Sequence, residues 1–192
     1  VIEEHGPDAL TGQIAQRAGL ARPNVYRHFV SKDELDEAVA RSAYRELRAG
    51  IQSQLNLSGT PLDAIRAPIA VQVAWADRHP NLYRFLVSRR YRRTTQRRKE
   101  EQQGLAADLA AAGERYVPHF ADNPELAATL VVALGGLIDA SILRWLSRRT
   151  EACERLIDRL TAQAWLIINH HLGEMGVHID PDVPLQVGQT RS

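Results

Sequence analysis

The stretch that decides the fold is Leu10-Thr11-Gly12-Gln13-Ile14-Ala15-Gln16-Arg17-Ala18-Gly19-Leu20-Ala21-Arg22-Pro23-Asn24-Val25-Tyr26-Arg27-His28-Phe29. Its spacing predicts a short helix, a glycine turn and a second short helix. Ile14, Ala15, Ala18, Leu20, Val25 and Phe29 supply the apolar positions. Ala15 is small where two helices would cross closely. Gly19 can take the positive φ of a turn that follows a helix, and Pro23 suits the first turn of the second helix. Together these are the parts of a helix-turn-helix, whose second helix enters the major groove of DNA. The charge pattern agrees: residues 9–32 contain no Asp or Glu, while Arg17, Arg22, Arg27 and Lys32 are positive.

Downstream, helical start and stop signals recur and nothing reads as a strand. Ser31-Lys32-Asp33-Glu34 has the form of a capping box, flanked by Val30 and Leu35 as a hydrophobic staple. The helix it starts carries Leu35, Val39, Ala43, Leu47 and Ile51 and is expected to reach about Gln54, before a linker at Asn56-Leu57-Ser58-Gly59. Thr60-Pro61 opens another helix, running to about His79. Pro80 is expected to end or kink it, with Leu82, Tyr83, Phe85 and Leu86 forming a short apolar segment beyond. Residues 94–116 are helical in composition. Asn123-Pro124-Glu125 and Thr150-Glu151 start the last two helices, the second ending near Gly173. The chain is expected to be all-α, and its 192 residues suit one domain or two small ones sharing a core.

Composition narrows the function classes. Hydrophobic residues are 44% and charged residues 24%, as in ordinary globular proteins. Apolar runs such as residues 130–138 fall short of the ~20 residues of a membrane span, so no membrane partner is expected. The opening residues lack a secretory pattern, and a cytoplasmic location is expected. The single cysteine, Cys153, excludes an internal disulfide and a cysteine-built zinc site. His170-His171 lacks further ligands at metal-binding spacing. With no glycine-rich phosphate loop, metal signature or nucleophile motif, no catalytic residues, metal or cofactor are expected. The net charge of +1 does not itself announce a nucleic-acid binder. Among the 24 basic residues only Lys32 and Lys99 are lysines; arginine suits phosphate and guanine contacts, and a GC-rich genome gives the same bias.

The helix after Pro124 is apolar on nearly every side and therefore needs cover on every side. Val131, Leu134, Ile138, Ile142 and Trp145 can face its own core, while Leu130 and Leu137 call for a second copy of the chain. A central helix in a monomeric bundle, kinked at Gly135-Gly136, fits the same pattern. Asp139, set between Ile138 and Ile142, must find a partner if buried. In order of preference that partner is an arginine, a group across a dimer, or a polar group on a ligand.

The pattern Thr11-x-x-Ile14-Ala15-x-x-Ala18-Gly19-Leu20-Ala21-x-x-x-Val25-Tyr26-x-His28-Phe29-x-Ser31-Lys32-x-x-Leu35 closely resembles the DNA-binding domain of the tetracycline-repressor (TetR) family of transcriptional regulators. The resemblance covers roughly residues 6–39. It implies a three-helix, helix-turn-helix DNA-binding domain over residues 1–39, whose first helix is represented only by its end. A helical effector-binding and dimerisation bundle would follow over residues 40–176, then an irregular tail over residues 177–192. It further implies a homodimeric repressor that binds a pseudo-palindromic operator in double-stranded DNA and is released by a small-molecule effector.

Carried over by position, the resemblance sets Thr11 against phosphate at the start of the first motif helix. Arg22, Pro23, Asn24 and Tyr26 fall at the groove-facing start of the recognition helix. Arg22 is the expected base reader, since arginine to guanine is the commonest specific contact; Asn24 would read adenine or phosphate. Tyr26 and His28 would hold the backbone, Arg27 would face DNA or the neighbouring helix, and Lys32 would meet phosphate. Leu10-Thr11-Gly12 departs from the two consecutive hydroxyl residues of many relatives. For the remainder, the expected effector-pocket residues are Trp75, Tyr83, Tyr91, Asp139 and Trp145, and the expected dimer-interface residues are Leu130, Leu137, Ile157 and Trp165. The basic run over residues 89–99 is either a solvated face or an anion site for an acyl-CoA-like effector. Two other classes fit less of the sequence: an architectural DNA-binding protein without an effector, and an α-helical enzyme.

Overall fold

A computed structural model describes residues 1, 10–19, 21–55, 59–92 and 96–184, with side chains described for these except 11, 22, 89–92, 96–103, 116 and 118. The described residues are helical, with no strand among them. Residues 56–58 of the expected linker at 56–59, and residues 185–192 of the expected tail, lie outside them.

The head is built as its sequence demands. Helix α1 spans Thr11–Arg17 and α2 spans Arg22–His28. Between them Gly19 takes φ +66°, the left-handed region open to a residue without a Cβ. Ala15, Val25 and Leu35 are buried together, with Ile14, Phe29 and Val39 packed against them. Helix α3 then runs unbroken over Lys32–Gln52. Ser31 Oγ accepts the Glu34 N–H at 3.2 Å, the expected cap. The reciprocal bond falls one residue earlier than a capping box places it: Glu34 accepts the Val30 N–H at 2.6 Å. The expected staple is absent, because Val30 is 91% exposed while Leu35 is buried.

Helix α4 spans Pro61–Arg78. Thr60 Oγ1 accepts the Asp63 N–H at 3.1 Å and Asp63 accepts the Thr60 N–H at 3.0 Å, which holds the Asp63 carboxyl below its usual pKa. Pro68 sits inside α4, where it withholds an N–H from the helix ladder. Pro80 does not lead into a short segment; it opens a 13-residue helix, α5, over Pro80–Arg92. A proline at a first helical position loses only an N–H that has no partner there anyway. Helix α6 spans Gln96–Tyr116 and is followed by a 3-10 turn at Pro118–Phe120. Helix α7 spans Pro124–Arg148, capped by Asn123, and ends at Arg149 with φ 48°. Helix α8 spans Cys153–Glu174, starting slightly later than the sequence suggests.

Three layers of packing follow. A main core joins Leu47 and Ile51 of α3, Ile69 and Val73 of α4, Tyr83 of α5, Ile142 and Trp145 of α7, and Leu156 and Leu160 of α8. A second cluster at the far end joins Val117, Phe120, Ala127, Leu130, Leu172 and Val177. Part of the expected irregular tail therefore packs: Val177 donates its N–H to Leu172 O at 2.9 Å and is buried. Between core and head, Ala40 and Phe85 are buried together, and Val39 packs both there and in the head cluster.

Contrary to the run-length reading of the sequence, α7 is long and apolar enough by length and composition to cross a membrane. In this fold it packs on α4, α5, α6 and α8 and buries Asp139 midway along, an expensive group to place in lipid.

Candidate nucleic-acid interface and effector cavity

In α2 the inward side chain is Val25, which anchors the helix to α1 and α3. Pro23, Asn24, Tyr26, Arg27 and His28 are all exposed. A short helix held by one buried valine thus presents the rest of its surface outward, with no acidic residue on it. Thr11 and Arg22 occupy the first positions of α1 and α2; their side chains lie outside the described residues. Lys32 opens α3, half-buried, with its ammonium ion-paired to the buried carboxylate of Asp36 one turn on. That pairing was not anticipated from the sequence. It fixes the direction of the lysine while Asp36 shares the charge a phosphate would otherwise meet alone.

Helices α3–α8 line a partly open cavity of about 640 Å³, a size that suits a drug-sized molecule. Its wall takes residues from both apolar clusters, among them Leu47 and Val87 of the main core and Phe120, Leu130 and Leu172 of the far one. Of the expected pocket residues, Tyr83 and Asp139 line it. Trp75 and Trp145 do not: both are buried core side chains, their indole N–H groups donating to Glu46 Oε1 at 3.1 Å and to Glu151 O at 2.9 Å. Tyr91 and the basic run at 89–99 lie outside the described side chains.

Asp139 accepts from Tyr83 Oη at 2.8 Å and from Gln72 Nε2 at 2.9 Å, and Gln72 Nε2 also donates to Tyr83 Oη at 2.8 Å. The described partners of Asp139 include a phenol and an amide, and it has a further interaction besides these. Gln72 was missed, although its signal resembles that of Asp139: a polar residue inside Ala70-Val71-Gln72-Val73-Ala74. Tyr44 and Arg41, also on the wall, carry no such signal, because polar residues on an amphipathic helix are ordinary.

The four expected interface residues are placed unequally. Leu130 and Ile157 are buried inside the chain's own clusters, Leu137 is half-buried, and Trp165 lines the cavity. The exposed apolar surface lies beside them: Val132 on α7 is 69% exposed and Leu166 on α8 is 68% exposed. Ala128, Ala133, Ala140 and Ala162 continue that surface with small side chains.

Residues 1–39 match the family described as "Bacterial regulatory proteins, tetR family". Two curated relatives, the nucleoid occlusion factors SlmA of Vibrio vulnificus strains YJ016 and CMCP6, are 30% identical over 76 residues, covering 40% of this chain and 39% of each relative. The match thus spans well under half of those relatives' length. Among solved structures, a TetR-family transcriptional regulator from Streptomyces coelicolor superposes with TM-score 0.68 at 18% identity, covering 91% of this chain and 79% of that one. The TetR-family regulator PfmR from Thermus thermophilus gives 0.62 at 20% identity, covering 86% and 91%. A TerR/AcrR-family regulator from Aquifex aeolicus gives 0.59 at 19%, covering 86% and 92%. The head matches the tetR family in sequence, and most of the chain has the fold of TetR-family transcriptional regulators.

Proposed function

We propose that this chain, with a tetR-family head on a TetR-type fold, is a one-component transcriptional regulator: a cytoplasmic homodimer that represses by binding a pseudo-palindromic operator and lets go when a small molecule fills its cavity. The observation that carries this reading is α3. Its first turns pack in the head through Leu35 and Val39, and its later turns line the cavity through Ala40, Arg41, Tyr44, Leu47 and Ile51. A ligand pressing on the later turns tilts a rod to which the reading head is fixed. Release then requires that the ligand bind the tilted state more tightly than the DNA-competent one.

The reading head acts through α2. Arg22 reads a base, Asn24 reads a base or phosphate, and Thr11, Pro23, Tyr26, Arg27, His28 and Lys32 set the helix on the backbone. Two heads would meet half-sites about 34–36 Å apart, or a multiple of that. The exposed apolar faces of α7 and α8 support pairing of two copies through Val132 and Leu166, with Leu137 at their margin. An architectural role without an effector leaves the cavity unexplained. Among the described residues no group of three His, Cys, Asp or Glu gathers as a metal site.

The test is binding to the duplex that the wild-type chain selects. Arg22→Ala should lose about 1–3 kcal/mol and relax preference at one base pair. Equal loss on all sequences would remove Arg22 as a base reader.

A further inference from the structure

We propose that the cavity takes an uncharged, long-chain lipophile: a molecule of the fatty-alcohol kind, with an extended apolar body and no ionised head. The inference rests on the effector reading above and names the chemical class of its ligand. Extension follows from the wall. It tracks α7 from Ala127 to Asp139 and α3 from Ala40 to Ile51, each about 16–18 Å at 1.5 Å per residue. At the far end it reaches Phe120, Leu172 and Ile179, so one space touches two apolar clusters that pack separately. The apolar body follows from the lining, which is mainly Leu, Ile, Val, Ala and Pro side chains.

The uncharged head follows from the polar groups on the described wall, which are already engaged within the chain. Arg41 lies 4.0 Å from Glu37 on its own helix, and Gln54 Nε2 donates to Ser53 Oγ at 3.1 Å. Gln72 Nε2 donates both to Tyr83 Oη and to Asp139 Oδ1, and Tyr83 Oη donates to that same oxygen. Asp139 has a further interaction as well. No other charged or amide side chain stands on the described wall. Tyr83 and Asp139 are moreover only 1% and 2% exposed, so an incoming group barely touches them unless their hydrogen bonds open. An ion of either sign gives up its hydration among apolar side chains and is repaid only by a waiting partner. Here it would have to displace an existing one. A neutral hydroxyl gives up far less and displaces nothing.

The test titrates the full chain by calorimetry, near neutral pH and below micelle-forming concentrations, with decanol, decylamine and decanoate. These share one apolar body type and differ in the head. Decanol should bind at least about tenfold tighter than either ion. A second series, octanol, decanol and dodecanol, reads length: affinity should rise at least about fivefold with each added pair of methylenes. Ala106→Phe sets a ring on the wall from α6 and should weaken decanol about tenfold. Equal or tighter binding of either ion, no saturable binding of decanol, an affinity that stops rising before dodecanol, or unchanged decanol binding in a folded Ala106→Phe variant would overturn the proposal. The two wild-type series decide even where the variant does not fold. DNA affinity is measured on the same preparation: decanol that binds with this preference but leaves DNA affinity unchanged refutes release by effector and leaves the ligand class standing.

Discussion

Gly19 holds φ +66° in the turn between α1 and α2, and a Cβ built there would meet nothing within 4 Å. The cost of Gly19→Ala is therefore backbone strain alone, about 1–2 kcal/mol. Thermal unfolding should show lower stability of the head with no change in its contacts; an unchanged transition would contradict the turn's geometry. Lys32 is a different case. Lys32→Ala should weaken all DNA sequences alike and lower the salt slope by about one, with part of the effect offset because Asp36 already engages the lysine. A sequence-selective loss would contradict a phosphate role. At this scale the sequence was most legible where roles are local. Gly19, Ala15 and Val25 follow from spacing within twenty residues. The meeting of Gln72 and Tyr83 with Asp139 did not, because it joins residues 67 and 56 positions apart, which no local pattern encodes.

Among the elements, α3 and α6 are tied by a polar clamp. Arg48 Nη2 and Gln52 Nε2 donate to one carboxylate oxygen of Asp108, at 2.7 and 2.6 Å. Gly104 lets Arg48 lie close against α6, since a Cβ there would stand 2.9 Å from its guanidinium nitrogens. The Arg48 hydrogen bond, ahead of that from Gln52, holds the Asp108 carboxyl below its usual pKa. A lowered pKa means that the stabilisation is present above the unfolded value of about 3.9 and is lost as pH falls through the lower folded value. The wild type should therefore melt above Asp108→Asn at pH 7, by less than about 1 kcal/mol for so exposed a pair, and the two should converge in acid. A gap that persists at pH 2 would contradict the clamp's ionic character. Helix starts were legible from their caps: Ser31, Thr60 and Asn123 all accept the expected N–H. Pro80 was misread because a proline after a helix signals a stop and a fresh start equally, and only packing of Tyr83, Phe85 and Val87 decides between them.

For the whole molecule, the all-round apolarity of α7 was legible, but which of its sides the chain itself covers was not. Leu130 finds Val117, Phe120 and Leu172 within its own chain, and Val132 is left outward. Val132→Arg, and separately Leu166→Arg, should convert a dimer to monomer in sedimentation. DNA affinity should fall with it, because two linked heads bind far more tightly than one. A wild-type monomer, or an unchanged dimer in both variants, would contradict pairing through this face. The cavity likewise arises from packing rather than from aromatic count, which is why Tyr83 reaches it and Trp75 and Trp145 do not.

Specific DNA recognition by α2 is tested most directly by selection of the folded chain against a randomised duplex library, read by sequencing. A pseudo-palindrome whose half-site centres lie about 10 base pairs, or a multiple of that, apart should be enriched. Enrichment of no sequence by a folded protein would contradict such recognition.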